Sequence, residues 1–172
     1  MRGTILSLLF LFAVLPGSPV RADSAEQIRN GAGDALSFLR DNIDGAGELM
    51  DRAAAVLVFP DVVKLGFGVG GEYGEGVLLV AGEPAGYYAT SGAAFGLPPG
   101  SGVKSEVVVF VSDAALQAFL ERRSWRVGEG GLVVANPSST ASGDQAVGYI
   151  FAETGLVPNL SLDGAKITRL AR

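Results

Sequence analysis

The chain has 172 residues, of which 13 are basic and 18 acidic, and it contains neither histidine nor cysteine. The net charge of −5 argues against a nucleic-acid-binding protein, because attraction to phosphate polyanions needs a positive field. Without histidine and cysteine the chain lacks the most common general base, metal ligand and thiol nucleophile. We therefore expect no catalytic residues, no metal site and no cofactor.

The first 22 residues have the pattern of a secretory signal peptide. Arg2 precedes an apolar run over residues 5–15, and Val20-Arg21-Ala22 suits cleavage before Asp23. The run is too short to span a bilayer comfortably. Arg2 and Arg21 lie in this segment, so 11 of the 13 basic residues remain against 18 acidic ones, a net charge of −7. We predict an exported periplasmic or extracellular protein with one domain over residues 23–172.

An amphipathic helix is predicted from Ser24, which forms a possible capping box with Gln27. Its apolar stripe consists of Ile28, Ala32, Ala35, Leu36 and Leu39. Two alternatives follow for this stripe, because it can pack against the rest of the domain or enter a lipid surface. In the second alternative, Leu36, Phe38 and Leu39 insert, and Arg29 and Arg40 contact headgroups.

The segment Gly66-Phe-Gly-Val-Gly-Gly-Glu-Tyr-Gly-Glu-Gly76 alternates glycine with bulkier residues. Its spacing matches a dinucleotide-binding fingerprint, but the strand-like run Val77–Val80 follows where the phosphate-binding helix should begin. We predict a glycine-rich β-hairpin instead, in which the glycines allow close approach of neighbouring groups. These structural glycines are Gly66, Gly68, Gly70, Gly71, Gly74 and Gly76.

The other elements are predicted from hydrophobic period and turn residues. A short helix over 46–54 precedes a strand over 56–59 that ends at Pro60, and a helical turn occupies 61–65. Strands follow at 85–90, 107–111, 131–135, 147–152 and 165–170, with a helix from Asp113 to Arg123. The fold class is α+β: an antiparallel, glycine-rich sheet or partly closed barrel, packed with an N-terminal helical segment and one internal helix.

Two charged groups are candidates for function. Arg122, Arg123 and Arg126 surround Trp125. We weigh a lipid contact, in which the arginines bind phosphate headgroups and the tryptophan lies at the membrane interface, against a structural or solvating role at a helix end. Lys64, Lys166 and Arg169 are weaker candidates. Glu72 and Glu75 lie close together in the hairpin; the simpler interpretation is solvated turn acids, and the alternative is a shared proton or metal.

Several ordered blocks resemble the SYLF-domain family. They are Val56-Leu-Val-Phe-Pro60, the glycine segment 66–76, Gly86-Tyr-Tyr88, the block from Ser91 through Phe95-Gly-Leu97, Gly155-Leu156 and Asn159-Leu-Ser-Leu-Asp-Gly-Ala-Lys-Ile-Thr168. Pro98-Pro99 stands where family members commonly carry glutamine. The resemblance implies a lipid-binding module, since eukaryotic members associate with phosphoinositides and membranes and yeast relatives bind actin.

The sequence therefore predicts a non-enzymatic exported domain that binds membrane phospholipid peripherally, as a bacterial member of this family. The predicted contacts are the amphipathic helix and the local basic residues. The alternative function is a protein-protein interaction module of the cell envelope, analogous to the actin-binding relatives. In that case the hairpin and the β-rich surface bind an envelope protein.

Overall fold

The computed structural model describes residues 23–65, 70–93, 102–127, 134–135, 146–152, 155–156, 162 and 164–172. The predicted signal peptide, Gly66 and Gly68 lie outside these residues. The described chain forms helices α1 (Ala25–Asn42), α2 (Ala46–Asp51) and α3 (Asp113–Leu120). Its strands are β1 (Ala55–Leu65), β2 (Gly71–Val80), β3 (Glu83–Ala93), β4 (Val103–Phe110), β5 (Ser124–Arg126), β6 (Val134–Ala135), β7 (Ala146–Ala152), β8 (Gly155–Leu156) and β9 (Lys166–Leu170).

The strands form one sheet in the order β5-β9-β3-β2-β1-β4-β7-β6, with β8 paired to β7. Neighbouring strands run antiparallel except β6 and β7, which are parallel. The predicted α+β class with an antiparallel sheet is confirmed. The last strand, β9, bonds to β3 on one side and to β5 on the other.

Strand β1 does not end at Pro60, and the helical turn predicted over 61–65 is wrong. The strand continues to Leu65, and its pairing with β2 shifts register between Val58 and Asp61. A proline has no N–H to donate, so a β-bulge is one of the places where a sheet accepts it. The carbonyl of Pro60 accepts a hydrogen bond from Ser105 Oγ at 2.7 Å. The bulge explains how one long strand contains a residue that usually stops one.

Helix α1 lies against one face of the sheet. Its predicted capping box is confirmed: Ser24 Oγ accepts from the Gln27 amide at 3.1 Å, and Gln27 Oε1 accepts from the Ser24 amide at 2.9 Å. Four residues of the apolar stripe are buried in a core with strand side chains: Ile28, Ala32, Ala35 and Leu39. In this structure the stripe thus faces the sheet.

Helix α3 covers the opposite face. Ser112 is its N-cap, because Ser112 Oγ accepts from the Ala115 amide at 3.2 Å. The helix ends at Leu120, before the predicted Arg123, and the chain turns into β5. On this face Phe119 contacts an aromatic core of Tyr88, Phe110 and Trp125.

Candidate functional site

The corner of the sheet formed by β5 and β9 collects basic side chains from two distant parts of the sequence. Arg126 lies directly opposite Lys166 in the antiparallel pair, and the backbone amide of Arg169 donates to the carbonyl of Arg123 at 2.9 Å. We call this corner the basic edge and define it by five exposed residues: Arg122, Arg123, Arg126, Lys166 and Arg169. Residues three apart on a strand point to opposite faces, so Lys166 and Arg126 lie on one face of this edge and Arg169 lies on the face of Ile167 and Trp125. Sequence analysis named the three arginines around Trp125 and gave Lys166 and Arg169 as weaker candidates; the strand pairing brings the two groups to one corner.

The geometry of the basic edge concentrates positive charge. Side chains directly opposite in an antiparallel pair have Cβ atoms about 5 Å apart, and like charges there repel. Arg126 and Lys166 form such a pair, and Arg126 Nη1 also donates to the carbonyl of Gly164 at 3.1 Å. Although the chain as a whole is acidic, this corner has the local chemistry to bind anions.

Trp125 is not part of the exposed surface. Its side chain is buried, and its Nε1 donates to the carbonyl of Phe119 at 2.7 Å. Its ring stacks on Phe119 with centroids 5.8 Å apart, and the guanidinium of Arg122 lies 4.8 Å from the indole centroid. The tryptophan therefore anchors β5 to α3, and the cation of Arg122 lies over it.

The candidates on α1 occupy a different part of the molecule. Leu39 is fully buried, Leu36 is half-buried, and the half-buried Phe38 stacks on Phe151 with ring centroids 5.3 Å apart. Arg29 is exposed. Arg40 Nη2 lies 2.8 Å from Asp51 Oδ1 in an exposed ion pair with α2.

A buried ionic cluster was missed by the sequence analysis. The ammonium of Lys104 lies 2.9 Å from Glu72 Oε2 and 2.9 Å from Glu106 Oε1, and Thr90 Oγ1 donates to Glu106 Oε2 at 3.3 Å. All four side chains are buried or nearly so. Lys104 and Glu106 lie on the same face of β4 as the core residue Val108. This two-residue period was the sequence signal that could have predicted their burial.

Burial and pairing shift the protonation equilibria of this cluster. Removal from water raises the pKa of Glu106, and the attraction of Lys104 offsets part of that effect. Burial alone lowers the pKa of Lys104, but the two carboxylates outweigh it and raise that pKa above its ordinary value. The cluster links β2, β3 and β4 through buried ion pairs and a hydrogen bond.

Glu72 and Glu75 are not solvated turn acids, as the simpler interpretation had it. Residues three apart on a strand point to opposite faces, so Glu72 joins the Lys104 cluster and Glu75 lies on the α1 side. Glu75 is 7% exposed. Its carboxylate accepts from the Tyr73 hydroxyl at 2.9 Å and forms an ion pair with Arg172. The two acids therefore do not share a proton or a metal ion.

Within the described residues, no group of three or more acidic side chains is close enough to hold a metal ion. No described helix combines the length and the apolar character that crossing a bilayer requires.

Comparison with known proteins leaves the family open. No protein-family model matches the chain, and no curated protein matches it.

Proposed function

We propose that this chain is a non-enzymatic, exported SYLF-type domain that binds anionic phospholipid peripherally. The observation that supports it best is the basic edge, where the pairing of β5 with β9 places Lys166 opposite Arg126 and bonds the backbone of Arg169 to that of Arg123. Arginine and lysine bind phosphate oxygens through charge-assisted hydrogen bonds. We also propose that the chain belongs to the SYLF family, on the sequence blocks that resemble it, and that its sheet forms a partly closed, glycine-rich barrel.

The charge alone supports weak, reversible attachment. A basic residue near an anionic membrane surface contributes about 1 kcal/mol, so the five residues supply at most about 5 kcal/mol, when both faces of the edge reach the surface. Micromolar binding corresponds to about 8 kcal/mol. Leu120, which is 36% exposed and lies two residues before Arg122, is an apolar side chain near these charges. The apolar stripe of α1 is buried against the sheet and contributes only if the helix leaves it.

Vesicle co-sedimentation of residues 23–172 tests this function. We expect binding to phosphatidylglycerol vesicles at low salt, little binding to phosphatidylcholine vesicles, and release as salt rises, because exposed charges are screened. Reversal of two edge charges, Arg123→Glu with Lys166→Glu, should weaken binding at least about tenfold.

The matched control compares two single reversals that change the net charge equally: Lys166→Glu in the basic edge and Arg52→Glu at the end of α2. Equal weakening by both single variants would show that net charge, and not this corner, determines binding. Absence of binding to either vesicle would overturn the lipid function. Recovery of a stoichiometric envelope protein in a lipid-independent pull-down would then favour the alternative module.

A further inference from the structure

Arg172 joins the beginning of α1 to the sheet. Its guanidinium donates to the backbone carbonyl of Asp23, next to the N-cap Ser24, and to the carboxylate of Glu75 on β2. It also lies 5.9 Å from the centroid of the Tyr87 ring on β3. One side chain therefore contacts the residue that precedes the helix cap and two strands beneath the helix.

The two ends of α1 are held by different combinations of contacts. At the beginning, the polar bridge through Arg172 adds to the burial of Ile28 and Ala32; the side chain of Arg172 is 22% exposed and that of Glu75 is 7% exposed. Towards the end of α1, Leu39 is fully buried and Phe38 stacks on Phe151. Loss of the polar bridge therefore weakens the first half of α1 and leaves the apolar contacts of the second half.

We propose that Arg172 is a latch that holds the first half of α1 on the sheet, and that phospholipid phosphates open it by competing with Glu75 for the guanidinium. A carboxylate and a phosphate bind the same arginine fork. Opening exposes Ile28 and Ala32, which are both 1% exposed in the closed position, so the two alternatives for the apolar stripe become two states of one helix. The lipid-driven step rests on the proposed phospholipid binding, whereas the latch itself does not.

The fit of α1 to the sheet adds a second reason for local release. A Cβ atom on Gly31 would lie 3.0 Å from Pro60 Cβ, so the helix approaches β1 closely at this turn. Close contact through small residues such as Gly31 and Ala32 buries less apolar surface than contact through large ones. The first half of α1 therefore depends more on the polar bridge than the second half does.

Hydrogen exchange with mass spectrometry tests the latch on residues 23–172. The variant Arg172→Gln should raise exchange of the amides of residues 28–32 at least tenfold, while residues 36–42 and the amides of β1 and β4 keep their wild-type rates. Arg172→Lys, which keeps the charge but loses the fork, should give an intermediate rate. Arg52→Gln, an arginine at the end of α2, should leave the α1 rates unchanged.

Unchanged exchange of residues 28–32 in Arg172→Gln would overturn the latch, and so would an equal increase throughout the chain. Phosphatidylglycerol vesicles added to the wild type should raise the exchange of the amides of residues 28–32 in the same way. Vesicle binding with full protection of residues 28–32 would reject the lipid-driven opening while leaving the phospholipid-binding function standing. A loosened α1 in Arg172→Gln without any vesicle binding would reject that function and retain the latch.

Discussion

Glu106 is fully buried on β4, and one of its carboxylate oxygens lies 2.9 Å from the ammonium of Lys104 on the same strand. Residues two apart on a strand share a face, so the side chains of Lys104 and Glu106 lie next to each other on β4. Glu72 of β2 completes the cluster at 2.9 Å from Lys104. One buried cation thus faces two carboxylates, and its removal leaves both without a counter-charge.

Replacement of Lys104 by methionine should lower the free energy of unfolding by about 3–5 kcal/mol, because breaking a buried ion pair leaves uncompensated charge. Urea denaturation gives the measurement. Arg40→Met removes the exposed pair with Asp51 and should cost less than about 1 kcal/mol. A second change, Glu106→Gln, should recover part of the loss in the Lys104→Met background. Equal losses for the two single variants would contradict a structural role for the buried cluster.

The raised pKa of Lys104 predicts a dependence of stability on alkaline pH. A lysine whose pKa is higher in the folded state than its ordinary 10.5 stabilises the fold below that pH and loses its contribution as pH rises through the folded value. Tyr73, Tyr88 and Tyr149 also have raised pKa values, mainly through burial, and act in the same direction.

Comparison with Lys104→Met isolates the lysine, since the tyrosines are common to both proteins. The difference in unfolding free energy between wild type and variant should stay constant just below pH 10.5 and shrink above it. A difference that grows with pH in this range would show that the sign is wrong.

Replacement by alanine should have opposite effects on stability at two glycines, Gly76 and Gly33. A Cβ atom on Gly76 would lie 2.2 Å from the carbonyl oxygen of Val58, so the backbone of β1 must move in Gly76→Ala. We expect a loss of at least about 2 kcal/mol by analogy with overpacking in a core. Gly33 in α1 has nothing within 4 Å of its Cβ position, and Gly33→Ala should raise stability by about 1 kcal/mol through helix propensity. Thermal unfolding of both variants provides the comparison.

The features that were predicted correctly from the sequence are those that depend on interactions between nearby residues. The capping box of Ser24 and Gln27 and the apolar period of α1 depend on residues within a few positions of each other. The prediction failed at Pro60, because a bulge depends on the strands paired on both sides of β1. A proline rule considers only the residue and its neighbours in the sequence.

The candidate site shows the same difference between what local sequence and what long-range pairing determine. The arginines around Trp125 are adjacent in sequence, whereas Lys166 and Arg169 join them only through the pairing of β9 with β5. Similarly, Lys104-Ser-Glu106 has the composition of an exposed strand, and its burial follows from the register that places Glu106 opposite Phe59. Contacts between distant strands therefore decided which charged residues are exposed and which are buried.

Trp125 provides a final test, because its burial separates folding from membrane contact. An interfacial tryptophan would lose vesicle affinity on replacement and leave stability intact, whereas a buried one should do the reverse. Trp125→Phe removes the hydrogen bond from Nε1 to the Phe119 carbonyl and leaves that buried acceptor without this donor, at a cost of about 1–3 kcal/mol. We expect lower stability in urea denaturation and unchanged affinity for phosphatidylglycerol vesicles under conditions where the variant is folded. A loss of affinity without a loss of stability would mean that the indole leaves the core to meet lipid.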